Sequence, residues 1–305
     1  MLSMATSGST ASVWATSLAG RTVGLMHVAK VIAANFYYHG TLGYRRWQMH
    51  RACAAGLAPI AIVVFHRVAN DRANAWTTSI STFTNSIRWL RNNFQLISLE
   101  DVQRRMRSGK NHRASVSITF DDGYADNFDH AIPLLIREGI PCTYFVTAGP
   151  VIDGVPFEHD LATGTRLAPN TIEQLRSLER SCVEIGAHTR THVDLGPIHN
   201  QARLRDEIVC VRADLQQALG ERIRYFAFPF GRRTNLSVEA IKLAREAGYE
   251  AVCSAYGGYN LPGRDPFHLQ RRCLDGPLLR IKNWVTVDPF RNRHVPEFVY
   301  SQESD

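Results

Sequence analysis

The chain has 305 residues, 45% of them hydrophobic, and a formal net charge of +7. That length supports one large domain with a substantial core plus appendages, and the moderate, scattered basic excess suits an anionic surface of some kind. No nucleic-acid-binding motif is present, so nucleic acid is not expected as a partner, and no run of about 20 apolar residues exists, so no membrane-spanning helix is expected.

Residues 1–58 read as an N-terminal arm, helical and partly ordered. Up to about Lys30 it is rich in Ser, Thr and Ala. No basic stretch precedes its apolar residues, and polar residues interrupt every apolar run. A secretory signal is therefore not expected, which favours a cytoplasmic location or a peripheral one at the inner membrane. Phe36, Tyr37, Tyr38, Tyr44, Arg45, Arg46 and Trp47 then mix aromatic rings with positive charge. Such a segment either packs on the domain or lies on a membrane surface; packing is the preferred reading.

Residues 59–287 alternate between strand and helix patterns. Ile60–Phe65 reads as a buried strand. Phe83, Ile87, Leu90 and Phe94 recur at helical spacing. Ser98, with Asp101 three residues on, starts a short helix whose solvated side carries Arg104, Arg105, Arg107 and Lys110. Val116, Ile118 and Phe120 mark the next strand, and Gly139 ends the helix after it. Tyr144–Val146 is a strand, and the long loop 148–169 is expected to line a groove. Asn170 and Glu173 are expected to cap a helix ahead of a strand at Val183–Ile185. Leu204, Ile208, Val211, Leu215 and Leu219 describe a long amphipathic helix that stops at Gly220. Tyr225–Phe228 and Ala251–Cys253 are strands flanking a helix at Ile241–Ala247. Repeated strand–helix units of this kind form a parallel sheet, and seven or so favour an α/β barrel over an open sheet. Residues 288–305 are left as a C-terminal tail.

The six cysteines form no C-x-x-C pair. Cys142, Cys182 and Cys253 read as small buried hydrophobes in a reducing compartment, and zinc-binding cysteines are not expected.

Two motifs carry chemistry. Thr119-Phe120-Asp121-Asp122-Gly123 puts two adjacent carboxylates at the end of an apolar strand. His188-Thr189-Arg190-Thr191-His192 puts two imidazoles four residues apart, on one face if the segment makes a helical turn. Asp-Asp-Gly alone is ordinary turn chemistry. The two motifs together supply three metal ligands and a spare carboxylate, the set that a hydrolytic metal site needs. Asp121, Asp122, His66, His188, His192 and Pro229-Phe230-Gly231 all follow expected strand ends, where parallel strand–helix folds collect reactive groups.

These motifs resemble those of the polysaccharide deacetylase family, carbohydrate esterase family 4, over roughly residues 59–275. The resemblance implies a distorted (β/α) barrel of about seven strands and an enzyme that removes acetyl groups from glycans. It makes Asp121 the general base and Asp122, His188 and His192 the ligands of a divalent metal, most often Zn²⁺, with Co²⁺ or Ni²⁺ accepted by the same set. Thr189 would position the histidine loop or bind acetate. Pro229 and Phe230 would line the groove, with the Phe230 N–H facing the oxyanion. Ala227 stands where the commoner family pattern has an Arg that tethers the base, and Arg271 is the candidate to replace it. The common late Leu-x-x-x-His is missing. Phe65-His66-Arg67-Val68 resembles instead the exopolysaccharide-deacetylase subgroup, which makes His66 the general acid, with His268 the alternative. The implied reaction is N-deacetylation of a polysaccharide or oligosaccharide. An O-acetyl carbohydrate esterase and an inactive glycan-binding module are the competing readings. The implied partners are an acetylated glycan and a polysaccharide assembly system.

Overall fold

The computed structural model describes residues 10–178, 180–288 and 297–300, with residues 10–29 described by their backbone alone. Eight strand segments form the main sheet: β1 (Ile60–Phe65), β2 (Ser115–Phe120), β3 (Cys142–Val146), β4 (Val183–Ala187), β5 (Tyr225–Ala227), β6 (Ala251–Ser254), β7 (His268–Gln270) and β8 (Arg272–Cys273). Their order is β7-β6-β5-β4-β3-β2-β1-β8, and every pair is parallel. A short strand, Gln95–Leu96, pairs with the start of β2. Arg271 alone separates β7 from β8, so the two are halves of one strand. The first half pairs with β6 and the second with β1, and the sheet comes round on itself as an α/β barrel. Counting the halves together gives the seven strands expected.

The strand period of two sorts the side chains. On β1 and β2, Ala61, Val63, Phe65, Val116, Ile118 and Phe120 face outward into the layer under the helices. Phe65 and Phe120 meet Phe83 of the helix Ile80–Asn93 at ring-centroid distances of 5.1 and 5.8 Å. Each fully buried Phe contributes about 1.5–3 kcal/mol. Ile60 and Ile62 join Phe145, Tyr225, Cys253 and Leu269 in a second cluster, inside the barrel. The same cluster takes in Leu99, Val102 and Met106 from the helix Leu99–Ser108. Gln103 of that helix donates to the Glu250 and Pro266 carbonyls and accepts from the Tyr225 hydroxyl. This helix therefore closes the floor of the barrel. Ser98 caps it by accepting from the Asp101 N–H, as the sequence suggests.

The N-terminal arm is one helix, α1 (Thr10–Ala55). Its residues Tyr38 and Arg45 are buried against the domain. Arg45 donates to the Asn283 carbonyl at 2.8 Å and the Tyr37 hydroxyl to Asp288 at 2.6 Å. The packing reading thus holds for this side of the helix. The signal-sequence reading falls mostly on residues 1–9 and on side chains outside the described ones. Of the tail, Tyr300 is buried and its ring meets Phe267. All six cysteines are free; Cys142 and Cys253 are buried, whereas Cys182 sits just ahead of β4 and is half-buried. Among the described residues, no helix is long and apolar enough to cross a membrane.

Three local expectations are corrected. The helix after residue 170 is capped one residue later, by a Thr171–Gln174 capping box; the Asn170 side chain instead reaches the buried Tyr144 hydroxyl. The segment 148–169 is not structureless, for it holds the short helices Ala148–Asp153 and Glu158–Ala162. The long amphipathic helix ending at Gly220 contains a π turn, Asp206–Cys210. A second π turn, Asn127–Ala131, follows β2.

Candidate active site

The alternation on β2 sets the two aspartates apart. Thr119 lies on the inner side of the barrel, and two residues later Asp121 does as well. There Arg271, fully buried, donates to both carboxylate oxygens at 2.7 and 2.9 Å. Its guanidinium also reaches Thr119 Oγ1 and the Ser254 carbonyl. The tether expected of Arg271 is therefore present. Burial opposes the Asp121 charge, but Arg271 and then His188 outweigh it and hold the carboxyl below the usual carboxylate range.

Asp122 departs from the strand with a left-handed φ of 73°. That turn swings its carboxylate away from Arg271 and toward two histidines. Its Oδ1 lies 3.5 Å from His188 Nε2 and 3.2 Å from His192 Nε2. This oxygen is buried and has no hydrogen-bond partner. One oxygen and two imidazole nitrogens, all within 4.8 Å of one another, form a donor set suited to a divalent cation. His188 Nδ1 lies 2.8 Å from the Ala227 carbonyl, which assigns the proton to Nδ1 and leaves the Nε2 lone pair facing Asp122. Burial depresses the His188 pKa to about 4, the neutral form a metal ligand requires.

The segment 188–192 makes no helical turn. Thr189 and His192 have left-handed φ of 63° and 60°, and Thr189 Oγ1 accepts from the His192 N–H at 2.9 Å. The loop is anchored from outside by Glu207. Its carboxylate accepts from the Arg190 and Thr191 N–H groups and from the Thr191 hydroxyl. Glu207 belongs to the π turn Asp206–Cys210, an irregularity that often marks functional positions.

His66 follows β1 and faces the same strand-end surface. Asp275 grips it twice: Oδ2 lies 2.6 Å from Nδ1, and Oδ1 accepts from the His66 N–H at 3.1 Å. Burial alone would depress the imidazole pKa, but Asp275 outweighs it, and the value is raised well above the ordinary one. Asn127, from the other π turn, donates to the His66 carbonyl and accepts from the Val68 N–H. His268 is different. It sits on β7 beside the inward Leu269, and so points outward, where Nε2 meets Ser254 Oγ at 2.9 Å and the ring meets Tyr300. Burial lowers its pKa to about 4. His268 is not brought to the site.

Phe230 completes the rim. Its φ is 59°, its ring is half exposed, and it lies 5.1 Å from the His192 ring. Its N–H makes no hydrogen bond among the described residues. A side chain at Gly231 would strike Ala255 at 2.6 Å, so this turn needs glycine there. Across from it, the loop 148–169 supplies His159, whose ring lies 4.9 Å from that of His192 and whose Nε2 meets the Tyr124 hydroxyl at 2.9 Å. The loop 148–169 thus reaches the rim of the site through His159. Asp122, Thr189, His192 and Phe230 are four of the seven non-glycine residues with positive φ among those described. Strain of this kind collects at functional sites.

Sequence reasoning missed Asp275, Asn127 and Glu207. Asp275 is 209 residues from its partner His66, and no motif joins them. Asn127 and Glu207 lie inside helical patterns that give no hint of a π turn.

Comparison with known proteins agrees with this geometry. The polysaccharide deacetylase family model matches residues 108–252. YxkH of Bacillus subtilis, classed with the polysaccharide deacetylases, is 24% identical over 195 residues, which are 63% of each chain. The poly-beta-1,6-N-acetyl-D-glucosamine N-deacetylase of Escherichia coli is 25% identical over 234 residues, covering 64% of this chain and 34% of that one. This chain thus spans less than two thirds of the length of either relative. The structure of IcaB from Ammonifex degensii superposes with a TM-score of 0.62 at 24% identity, over 75% of this chain and 97% of that one, and shares the fold. The family match spans Asp121, Asp122, His188, His192 and Phe230, and it identifies the segment of the barrel that presents them as a polysaccharide deacetylase domain.

Proposed function

We propose that this protein is a metal-dependent hydrolase that removes N-acetyl groups from the amino sugars of a polysaccharide, with residues 59–287 as its catalytic unit. The observation that carries this reading is the buried, unpartnered Asp122 Oδ1 between two histidine Nε2 atoms, beside a second carboxylate held by arginine. Asp122, His188 and His192 would hold the ion. When bound, it would supply Lewis acidity and lower the pKa of a water molecule, the chemistry hydrolysis of an amide demands.

The remaining roles fall to this chain's own groups. Asp121 takes the proton of the attacking water; Arg271 keeps it ionised, and each of its oxygens retains a lone pair beyond the one Arg271 uses. The Phe230 N–H receives the charge that develops on the acetyl oxygen, and Pro229 fixes the turn that aims it. Thr189 holds the His192 backbone in place. His66, with Nδ1 bound to Asp275, delivers a proton from Nε2 to the leaving amine. An amine is a poor leaving group and an alcohol a better one. A histidine held protonated by a carboxylate therefore favours the N-acetyl over the O-acetyl reaction.

The named activity of the E. coli relative suggests a polymer of β-1,6-linked N-acetylglucosamine as substrate. We place the enzyme in a polysaccharide assembly system, in the cytoplasm or at the inner membrane surface. An acetate-release assay across N-acetylated and O-acetylated glycans tests the reading. Equal amounts of acetate and free amine are expected from the amino-sugar polymer, released ~10²–10⁴-fold more slowly by Asp121→Asn. Acetate from O-acetylated xylan alone would make the protein an esterase. Binding of glycan without acetate would make it a binding module.

A further inference from the structure

The chemistry above makes no use of α1. One side of this helix is buried through Tyr38 and Arg45, and the other is open. On the open side Ile32, Phe36 and Trp47 are 50%, 75% and 52% exposed. At about 100° per residue these positions fall within roughly 60° of one another, a single stripe. Over its full 46 residues the helix has no single apolar side, and the stripe belongs to the stretch from Ile32 to Trp47. Tyr44 stacks on Trp47 at 5.8 Å, and the Arg51 guanidinium lies 4.9 Å from the Trp47 ring centre. Lys30, Arg46 and Arg51 are exposed around the stripe. No Asp or Glu precedes Asp71 in the chain, so α1 carries no acid of its own, and Asp288, which packs on α1, pairs with Arg45 on the buried side.

We infer that the open face of α1 docks the protein on an anionic phospholipid surface. The charge selects a negative partner. The large exposed rings select one with an apolar interior, which a soluble polyanion lacks. A second copy of the chain fits poorly, because self-pairing of this face would set Arg46 and Arg51 against their own kind. The fold gives the docking a direction. Residues of α1 from Tyr38 to Met49 lie against Trp89, Phe94 and Ala114, at the N-terminal ends of the strands, whereas the site lies at the C-terminal ends. A protein docked by α1 turns its catalytic mouth away from the bilayer, about 20 Å above it, where a glycan would pass.

The test is co-sedimentation of the full chain with phosphatidylcholine vesicles, with and without phosphatidylglycerol. It is read without substrate, so its outcome is independent of the deacetylase reading. Wild type is expected to pellet with the anionic vesicles and to be released by salt. Each basic side chain near such a surface is worth about fivefold in binding, so Arg46→Glu with Arg51→Glu is expected to weaken it by at least ~25-fold. Phe36→Ser with Trp47→Ser is expected to abolish pelleting, with circular dichroism and acetate release unchanged. The inference is overturned if wild type pellets with neither vesicle or equally with both, if both double variants pellet like wild type, or if the chain binds a heparin or RNA probe and not the vesicles.

Discussion

The two sides of the active site are assembled by different means. Asp122, His188 and His192 come from two short motifs that follow β2 and β4, one strand apart in the sheet and inside the segment that matches the family model. His66, Arg271 and Asp275 lie outside that segment and come from the first and last strands of the barrel. They reach the site because β8 pairs with β1. The first side is a local arrangement of ligands. The second is a product of closure. The contrast teaches that short motifs can supply the proposed ligands and the proposed base, while the topology of the whole domain supplies the groups that hold that base and the proposed acid.

The largest expected effect is on the local side. Chelation, or His188→Ala, is predicted to remove bound metal and all acetate release, with Zn²⁺ or Co²⁺ restoring the chelated wild type and not the variant; elemental analysis with activity is the check. Full activity in a metal-free sample would break the comparison at its root. Next comes Asp121→Asn, predicted to keep the metal and lose ~10²–10⁴-fold in rate. Loss of the metal in this variant would merge the two carboxylates into one role.

Arg271→Met strikes the closure side. It leaves the Asp121 carboxylate buried and unpaired, so a loss of about 3–5 kcal/mol in urea-unfolding free energy is expected along with activity. A stable, inactive variant would mean that Arg271 serves chemistry alone. Glu207→Gln weakens the charge-assisted bonds that hold the histidine loop, and metal affinity is expected to fall ~10–100-fold, measured by competition with a chelator.

The smallest and most diagnostic change is Asp275→Asn. As an acid, His66 must be protonated, so the rate falls as pH rises through its pKa. Asp275 raises that pKa, and its loss is predicted to move the alkaline limb of the pH–rate profile to lower pH. The same pair stabilises the fold fully below the ordinary histidine pKa and ceases to do so as pH rises through the raised value. Melting temperatures of wild type and Asp275→Asn should therefore converge at alkaline pH. An unmoved limb would remove His66 from proton transfer.

How much of this was legible in the sequence follows the same divide. Strand periodicity announces β1 and β2, and with it the inward aim of Asp121. The Asp-Asp and His-x-x-x-His motifs announce the ligands. The helical turn on which the shared face of His188 and His192 depends is absent, because spacing of four does not distinguish a helix from a loop held by left-handed residues at Thr189 and His192. His268 was a credible acid until its strand neighbour Leu269 showed which way it points. Asp275 was invisible, since nothing local distinguishes a carboxylate that will meet a histidine 209 residues away.

The broken strand at Arg271 has a further consequence. A single run, His268–Cys273, joins β6 to β1, holds Asp121, the proposed base, through Arg271, and leads directly into Asp275, which holds His66, the proposed acid. Should this seam part while the rest of the sheet stays paired, Asp121 and His66 lose their partners at once. Turnover then reports on the seam rather than on the fold: in mild denaturant, activity should fade ahead of the circular dichroism signal, and the amides of Arg271 and Leu274 should exchange with solvent earlier than those of β2 and β3.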